Sequence, residues 1–583
     1  MVFYLVGLGL GEAKDVAARA RDLVKGCSRV YLEAYTSILA GGKEALEAFY
    51  GCEILVADRE QVEQASDTLL AGAGTCDVAL LVVGDPLAAT THTDLYLRAH
   101  QLAIPVQVVS NASILSAVGC CGLQLYRYGE TVSVPFWQDG WEPTSFCHKI
   151  NKNLSKNLHT LCLLDIKVKE QSLENLLRGR KIFEPPLYMR VHQAAQQMLE
   201  VMRRHREAGA GQAGQQGEGE WLLNEDTPCV GLARVGTPSQ YILRGSLKEL
   251  AESDLGEPLH SLVVCGECHP MEEEALAKLA THFNGKQEQR QKNETGRGVF
   301  HIVGLGLGQP GDVTVKGLEI IKKCRQVFLE GYTSIMDGGV EAMEVLFGRK
   351  VTVADREMVE QRSDDILQGT RSGDVALLVV GDPLGATTHT DLVVRALDEN
   401  IPVNIVHNAS ILNAVGCCGL QLYSFGETVS IPFWQDGWEP DSFYDKICSN
   451  LDEGWHTLCL LDIKVKEQSV KNLMKGRKVY EPPRYMMASQ GASQLLEIIK
   501  KRTSEGQPTP LTPDHLVMGV ARVGSQSQCL KACTLQEMAT IDLGGPLHSL
   551  VVVGETHPME DEYVDMFRNS AGCKNPVNLC PPN

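Results

Sequence analysis

No stretch of this 583-residue sequence reaches the roughly 18 consecutive apolar residues that a membrane-spanning helix requires, so no membrane association is expected. The first apolar run, Val2 to Leu10, has no basic segment before it and ends in Gly11-Glu12-Ala13-Lys14-Asp15. It reads as a buried first strand rather than a secretion signal. Basic residues are in short supply: 54 Lys and Arg stand against 73 Asp and Glu, a net charge of −19. Such a surface repels phosphate backbones and argues against direct nucleic-acid contact. Several motifs of common chemistries are also missing. No Walker lysine follows the glycine-rich turns, there is no G-x-S-x-G elbow and no H-E-x-x-H, and no paired C-x-x-C sets could hold zinc, so no metal is expected. The 19 cysteines, odd in number and scattered, fit the reduced thiols of a cytoplasmic protein better than a disulfide framework.

What is present is a duplication. Val6-Gly7-Leu8-Gly9-Leu10-Gly11 recurs as Val303-Gly304-Leu305-Gly306-Leu307-Gly308, an offset of 297 from Gly7 to Gly304. The same offset carries Gly84-Asp85-Pro86 onto Gly381-Asp382-Pro383 and Phe136-Trp137-Gln138-Asp139-Gly140-Trp141 onto Phe433-Trp434-Gln435-Asp436-Gly437-Trp438. Beyond Tyr188 and Tyr485 the offset falls to 288, pairing Gly231 with Gly519 and His260 with His548. The first copy carries its extra residues in a Gly/Gln/Ala-rich stretch, 209–217, which reads as a flexible loop. The length, at about 150 residues per domain, suits two domains per copy. The expected boundaries are 1–112 and 113–283 in the first copy and 299–409 and 410–570 in the second. A polar linker spans 284–298 and a tail 571–583.

Each copy alternates strand and helix, which predicts an α/β fold with mainly parallel sheets. Residues 3–8 and 300–305 are short apolar runs ending in glycine, and Asp77-Val78-Ala79-Leu80-Leu81-Val82-Val83 is apolar on both faces, as a central parallel strand demands. Asp312 is the expected N-cap of the helix that follows, and Thr91 and Thr93 mark another helix start. Glu130 to Pro135, Thr160 to Asp165 and Leu259 to Val264 supply strands for the second domain.

The glycine-rich turns lie where a ligand can approach backbone amides, or where a strand and a helix merely pack tightly. Asp85 and Asp382 stand at the carboxyl ends of buried strands, where open α/β sheets bind ligands, though either could simply cap a helix. Asn111-Ala112-Ser113-Ile114 and Asn408-Ala409-Ser410-Ile411 reach the same sheet edge and read first as caps. His92 and His389 read as exposed helix-start histidines, His260 and His548 as satisfied core histidines, and Trp141 and Trp438 as core. Cys265-Gly266-Glu267-Cys268-His269 fits a haem-attachment pattern by chance, since the second copy has Val553-Gly554-Glu555-Thr556-His557 there.

Further segments complete an ordered set: Leu32-Glu33-Ala34-Tyr35-Thr36-Ser37, Ala57-Asp58-Arg59-Glu60, Gly119-Cys120-Cys121-Gly122-Leu123-Gln124-Leu125-Tyr126 and Leu163-Leu164-Asp165-Ile166-Lys167-Val168-Lys169-Glu170. With the glycine turn, Gly84-Asp85-Pro86 and Asn111-Ala112-Ser113-Ile114, this set resembles the diphthine methyl ester synthases, diphthamide-pathway methyltransferases of the tetrapyrrole methylase fold. The resemblance covers nearly all of both copies. It implies S-adenosylmethionine as methyl donor, S-adenosylhomocysteine as product, and elongation factor 2 as the protein substrate, methylated repeatedly on the 3-amino-3-carboxypropyl group of a modified histidine. It also implies donor-binding positions at Leu10, Asp85, Ala88, Ser113, Ile114, Leu164, Val235 and His260 in the first copy. In the second copy these become Leu307, Asp382, Gly385, Ser410, Ile411, Leu461, Val523 and His548. No general base is assigned; bulk water serves as well as Asp165 or Asp462. Family members look like homodimers, which implies that the two copies pair internally. Gly385 against Ala88, His407 against Ser110, and Thr314-Val315-Lys316-Gly317 against Ala17-Ala18-Arg19-Ala20 each leave the family-like residue in the second copy, which is expected to carry the better site. The rival readings are a tetrapyrrole or ribosomal RNA methylase of the same fold, and a donor-binding scaffold that engages elongation factor 2 without turnover.

Overall fold

The computed structural model describes residues 1–39, 41–88, 90–168, 178, 183–210, 221–289, 296–385, 387–467 and 480–568. Residues 211–217 of the Gly/Gln/Ala-rich stretch, 290–295 of the linker, Lys169, Glu170 and the tail lie outside them. The first copy opens with β1 (Phe3–Gly7), β2 (Arg29–Glu33), β3 (Leu55–Ala57), β4 (Val78–Val82) and β5 (Val106–Val109), in the sheet order β3-β2-β4-β1-β5. Every pair in it is parallel. β1 and β4 lie at its centre with every residue buried, because crossover helices cover both faces.

The second domain of that copy contains β6 (Val132–Val134), β7 (Thr160–Leu164), the small hairpin β8 (Ile166–Lys167) and β9 (Leu187–Tyr188), then β10 (Pro228–Ala233), β11 (Tyr241–Ser246) and β12 (His260–Val264). Its five-stranded sheet runs β11-β10-β12-β7-β6 and is mixed: β6 and β7 are parallel and the other pairs antiparallel.

The second copy repeats this architecture. β13 (Phe300–Gly304), β14 (Gln326–Glu330), β15 (Thr352–Ala354), β16 (Val375–Val379) and β17 (Val403–Val406) form the parallel sheet β15-β14-β16-β13-β17. β18 (Val429–Ile431), β19 (Thr457–Leu461), β20 (Ile463–Lys464), β21 (Arg484–Tyr485), β22 (Leu516–Ala521), β23 (Cys529–Thr534) and β24 (His548–Val552) follow, with β18-β19-β24-β22-β23 as the mixed sheet.

The copies share their cores crosswise. Ala275, Leu276, Leu279 and Phe283 of the first copy pack in one cluster with Phe300, Ile302, Val393 and Val403 of the second. Tyr96 and Leu97 of the first copy pack with Tyr563 and Phe567 in another, the Tyr96 and Tyr563 rings 5.0 Å apart. Between the copies Ala17 and Thr314, counterparts of each other, pair as an antiparallel bridge. The amide of Ala18 donates to Val313 O at 2.8 Å and that of Val315 to Val16 O at 2.9 Å, as residues astride a two-fold axis do.

Several expectations need correction. The helix Pro270–Gln289 runs through the start of the expected linker, and Asn284 docks on β11 through both its amide groups, to Ile242 N at 3.1 Å and Ile242 O at 2.8 Å. The helix Val315–Lys323 is capped by Thr314, whose hydroxyl accepts from Gly317 N at 2.9 Å, and not by Asp312, which ends the preceding short 3-10 turn. His92 and His389 are buried rather than exposed. Each turns its ring Nδ1–H to a proline carbonyl (Pro86 O at 3.0 Å, Pro383 O at 3.1 Å), which fixes the turn before the helix. Trp141 and Trp438 are half exposed, because each sits on a small loop closed by its own backbone bonds to Gln138 or Gln435. Among the described residues the cysteines other than Cys529 are free.

Candidate active site

The glycine-rich turn of the second copy serves packing first. A Cβ on Gly304 would lie 2.7 Å from Gly381 O, and one on Gly308 would meet the backbone of Gly524. The left-handed Gly306 (φ +72°) and Gly381 (φ +92°) exchange backbone hydrogen bonds, Gly381 N to Gly306 O at 2.8 Å and Gly306 N to Gly381 O at 3.3 Å. These bonds bring the ends of β13 and β16 together. Asn408 donates its side-chain amide to Gly304 O at 3.1 Å and to Asp312 O at 3.0 Å, so it braces the turn from behind. The carboxylate of Asp312 accepts from Gly308 N and Gln309 N, both at 2.9 Å, and is ion-paired with Arg19 of the first copy.

Asp382 stands at the mouth of this framework. It is almost fully buried, and its Oδ1 accepts from Leu384 N at 2.9 Å. Its Oδ2 accepts from Asn408 N at 3.2 Å and from the His407 ring Nδ1 at 2.8 Å. A carboxylate has about four acceptor directions, so one is left for a ligand.

A cavity of about 1080 Å³, its open mouth included, lies between this edge and the second sheet. All eight second-copy positions named above line it: Leu307, Asp382, Gly385, Ser410, Ile411, Leu461, Val523 and His548. One wall is the carboxyl edge of the parallel sheet, where open α/β sheets bind ligands; the other is the edge of the mixed sheet where β22 ends and β24 begins. His548, at the start of β24, combines both readings of it. Its Nδ1 accepts from Ala488 N at 3.2 Å, and its Nε2–H faces Gly544 O and Gly545 O at 3.1 and 3.0 Å. The ring pins the wall of the cavity, and burial lowers its pKa, keeping it neutral.

Other lining residues escape a reading from sequence. Thr333 and Asp337 come from the loop after β14, which the buried Glu330 holds by accepting Tyr332 N at 2.7 Å and Thr333 N at 2.8 Å. Glu330 ends a strand and precedes a polar loop, and it is the counterpart of Glu33 in the Leu32–Ser37 segment, but neither signal marks the loop as a cavity wall. Arg522 also lines the cavity, but carbonyls of Ser527, Leu543 and Gly545 occupy its guanidinium. Asp462 is not among the lining residues, and its Oδ2 accepts from Phe433 N at 2.9 Å.

The first copy places Leu10, Asp85, Ala88, Ser113, Ile114, Leu164, Val235 and His260 on the equivalent elements, with Asp85, Ser113 and His260 buried. Asp85 is furnished differently from Asp382. Its Oδ1 accepts from Leu87 N at 2.9 Å, and its Oδ2 from Asn111 N at 3.0 Å and from the side-chain amide of Asn413, in the other copy, at 3.1 Å. Burial pushes this carboxyl up to about 6, against the pull of those donors and of the Ser110 hydroxyl.

Among the described residues one histidine–cysteine group, His159 with Cys265 and Cys268, is close enough to hold a metal ion. His159 is engaged elsewhere: its Nδ1 accepts from Gly266 N at 3.1 Å and its Nε2 faces Glu272 Oε1 at 3.3 Å. His456 makes the same two contacts with Gly554 N and Glu560, where the second copy has Val553 and Thr556 for the cysteines. The ring is therefore an architectural tie in both copies.

Comparison with known proteins places two segments, residues 2–251 and 299–539, in the family Tetrapyrrole (Corrin/Porphyrin) Methylases. Diphthine methyl ester synthase of Homo sapiens is 57% identical over 270 residues, 46% of this chain and 95% of that protein. The protein of the same name from Mus musculus is 58% identical over 277 residues, 47% of this chain and 95% of its own length. A crystal structure of a diphthine synthase aligns with 30% identity and a TM-score of 0.40, covering 46% of this chain and 96% of the other.

Proposed function

This chain belongs in both its copies to the tetrapyrrole methylases, and on that premise we propose that it is an S-adenosylmethionine-dependent methyltransferase of diphthamide synthesis. Its protein substrate is elongation factor 2, methylated repeatedly on the 3-amino-3-carboxypropyl group of a modified histidine, on the amine and on the carboxylate. The working site is in the second copy. The observation that carries this reading is that all eight second-copy positions assigned to the donor line one cavity.

The residues fit such a donor by their own chemistry. Leu307, Ile411, Leu461 and Val523 offer apolar walls for a purine and for the methylenes beside a sulfonium. Asp382 keeps one acceptor direction for an amine or hydroxyl, and Asp337 adds a second carboxylate to the lining. The guanidinium of Arg522, tied to three carbonyls, is not free to compete for that acid.

When bound, S-adenosylmethionine supplies a methyl group on a sulfonium. Transfer from it is a displacement in which the bond to the acceptor forms as the carbon–sulfur bond breaks, with no covalent enzyme intermediate. What the protein contributes is therefore holding, orientation and exclusion of water. Asp382 would hold a polar group of the donor, the bonded glycine turns fix the sheet edge that presents Asp382, and the apolar walls would shut out solvent. The two copies act as an internal dimer, each N-terminal domain seated against the other copy's C-terminal domain.

The test is mass spectrometry of elongation factor 2 carrying the unmethylated intermediate, incubated with this protein and S-adenosylmethionine. Mass is expected in steps of one methylene, and Asp382→Asn is expected to abolish it. No added mass with the wild-type chain would leave a donor-binding scaffold instead.

A further inference from the structure

Asp85 and Asp382 hold the same place in the two copies but receive their donors from different sources. Every partner of Asp382 is in its own copy. Asp85 receives Asn413 from across the interface, 328 residues away in sequence. With Leu87 N and Asn111 N, that makes three donors, one of which comes from the other copy.

Asn413 is fully engaged as well. Its Oδ1 accepts from Ser410 N at 2.9 Å. Its two amide hydrogens go to Asp85 Oδ2 at 3.1 Å and to Asn111 O at 2.9 Å. Ser410 is a wall of the donor cavity, and a Cβ on the neighbouring Gly385 would come within 3.1 Å of it. A small movement of Ser410 therefore changes the cavity beside Asp382.

The tie runs one way. At the position of Asn413 the first copy has Ser116, whose hydroxyl turns to Ser113 O in its own copy at 3.2 Å. Asp382 accordingly takes its third donor from His407 of its own copy, and Asp85 takes its third from Asn413 of the other. We propose that Asn413 is a positioning residue through which the first copy completes the second copy's donor cavity, with Asp85 as the buried anchor of that strut. This rests on the reading that the second cavity holds the donor.

The full chain and its Asn413→Ser, Asp85→Asn and doubly substituted variants would be titrated calorimetrically with S-adenosylhomocysteine, with thermal unfolding measured alongside. One tight ligand per chain is expected. Each single variant should weaken it on the order of tenfold, the scale of one lost buried hydrogen bond. The double variant should be no weaker than either single one, because both changes cut the same strut. In turnover KM for the donor should rise while kcat holds, which a general loss of fold would not produce. Two results overturn the proposal: unchanged affinity in Asp85→Asn, or loss in that variant of a separate binding event with the tight one intact. A wild-type chain that binds no S-adenosylhomocysteine would sink the methyltransferase reading along with it.

Discussion

Gly385 shows how little separates the two copies at the level of a single atom. A Cβ there would meet Ser410 Cβ at 3.1 Å and Asp382 Cβ at 3.3 Å, tighter than ordinary contact, yet the first copy carries Ala88 at this place. Gly385→Ala should keep the fold and weaken S-adenosylhomocysteine binding several-fold, by about 1 kcal/mol, the low end of overpacking costs. Calorimetric titration checks it. Asp85 makes a prediction in pH. Its carboxyl lies at about 6 in the folded protein, above the ordinary 3.8, so the folded state binds the extra proton between those values. Stability contributed by this group is present below about pH 4 and declines as pH rises through 6. The difference between wild type and Asp85→Asn in urea unfolding should fall across that window by up to about 1.4 kcal/mol per pH unit. Both aspartates were legible in sequence because Gly-Asp-Pro follows a fully apolar run. Asn413 was not, since its partners lie in another copy and no local pattern announces them.

Among the elements, the parallel strands were legible because β4 and β16 are apolar on both faces, a pattern that few other structures require. Boundaries set by individual hydrogen bonds were less so. Asp312 looks like a cap and instead gathers the amides of Gly308 and Gln309, while Thr314 caps the helix one turn on. The polar sequence around Asn284 hid a helix end held to β11 by its backbone partners. The same helix begins at a buried carboxylate. Burial raises Glu272, but bonds from His159, Gln124 N and His269 N outweigh it and hold it at about 2. This group stabilises the fold above pH 4.5 and ceases to as pH falls toward 2. Glu272→Gln, which also loses the Arg127 contact at 2.8 Å, should cost about 1–2 kcal/mol at neutral pH and less at pH 3, measured by urea unfolding.

At the scale of the whole molecule, the duplication was plain from sequence, but the crossing of the cores was not. The helix Pro270–Gln289 packs on the second copy's parallel sheet, and Tyr563 and Phe567 pack on the first copy's. Lys278 binds Asp398 across the interface, and Lys152 and Lys156 both reach Glu453. Covalent continuity therefore contributes little to holding the copies together. A protease site inserted within residues 290–295 and cleaved should leave two fragments that co-elute at the size of the intact chain and retain S-adenosylhomocysteine binding. Separation of the fragments would contradict the shared cores.

The bridge between Ala17 and Thr314 has a consequence of another kind. In an assembly of two identical chains, any substitution beside the symmetry axis alters both sides together, and a cap cannot be given up on one side alone. Here the two sides are encoded separately, so one can keep its threonine while the other changes to alanine. Joining the copies in one chain thus lets the two sides of the seam differ at a position where identical chains would have to agree.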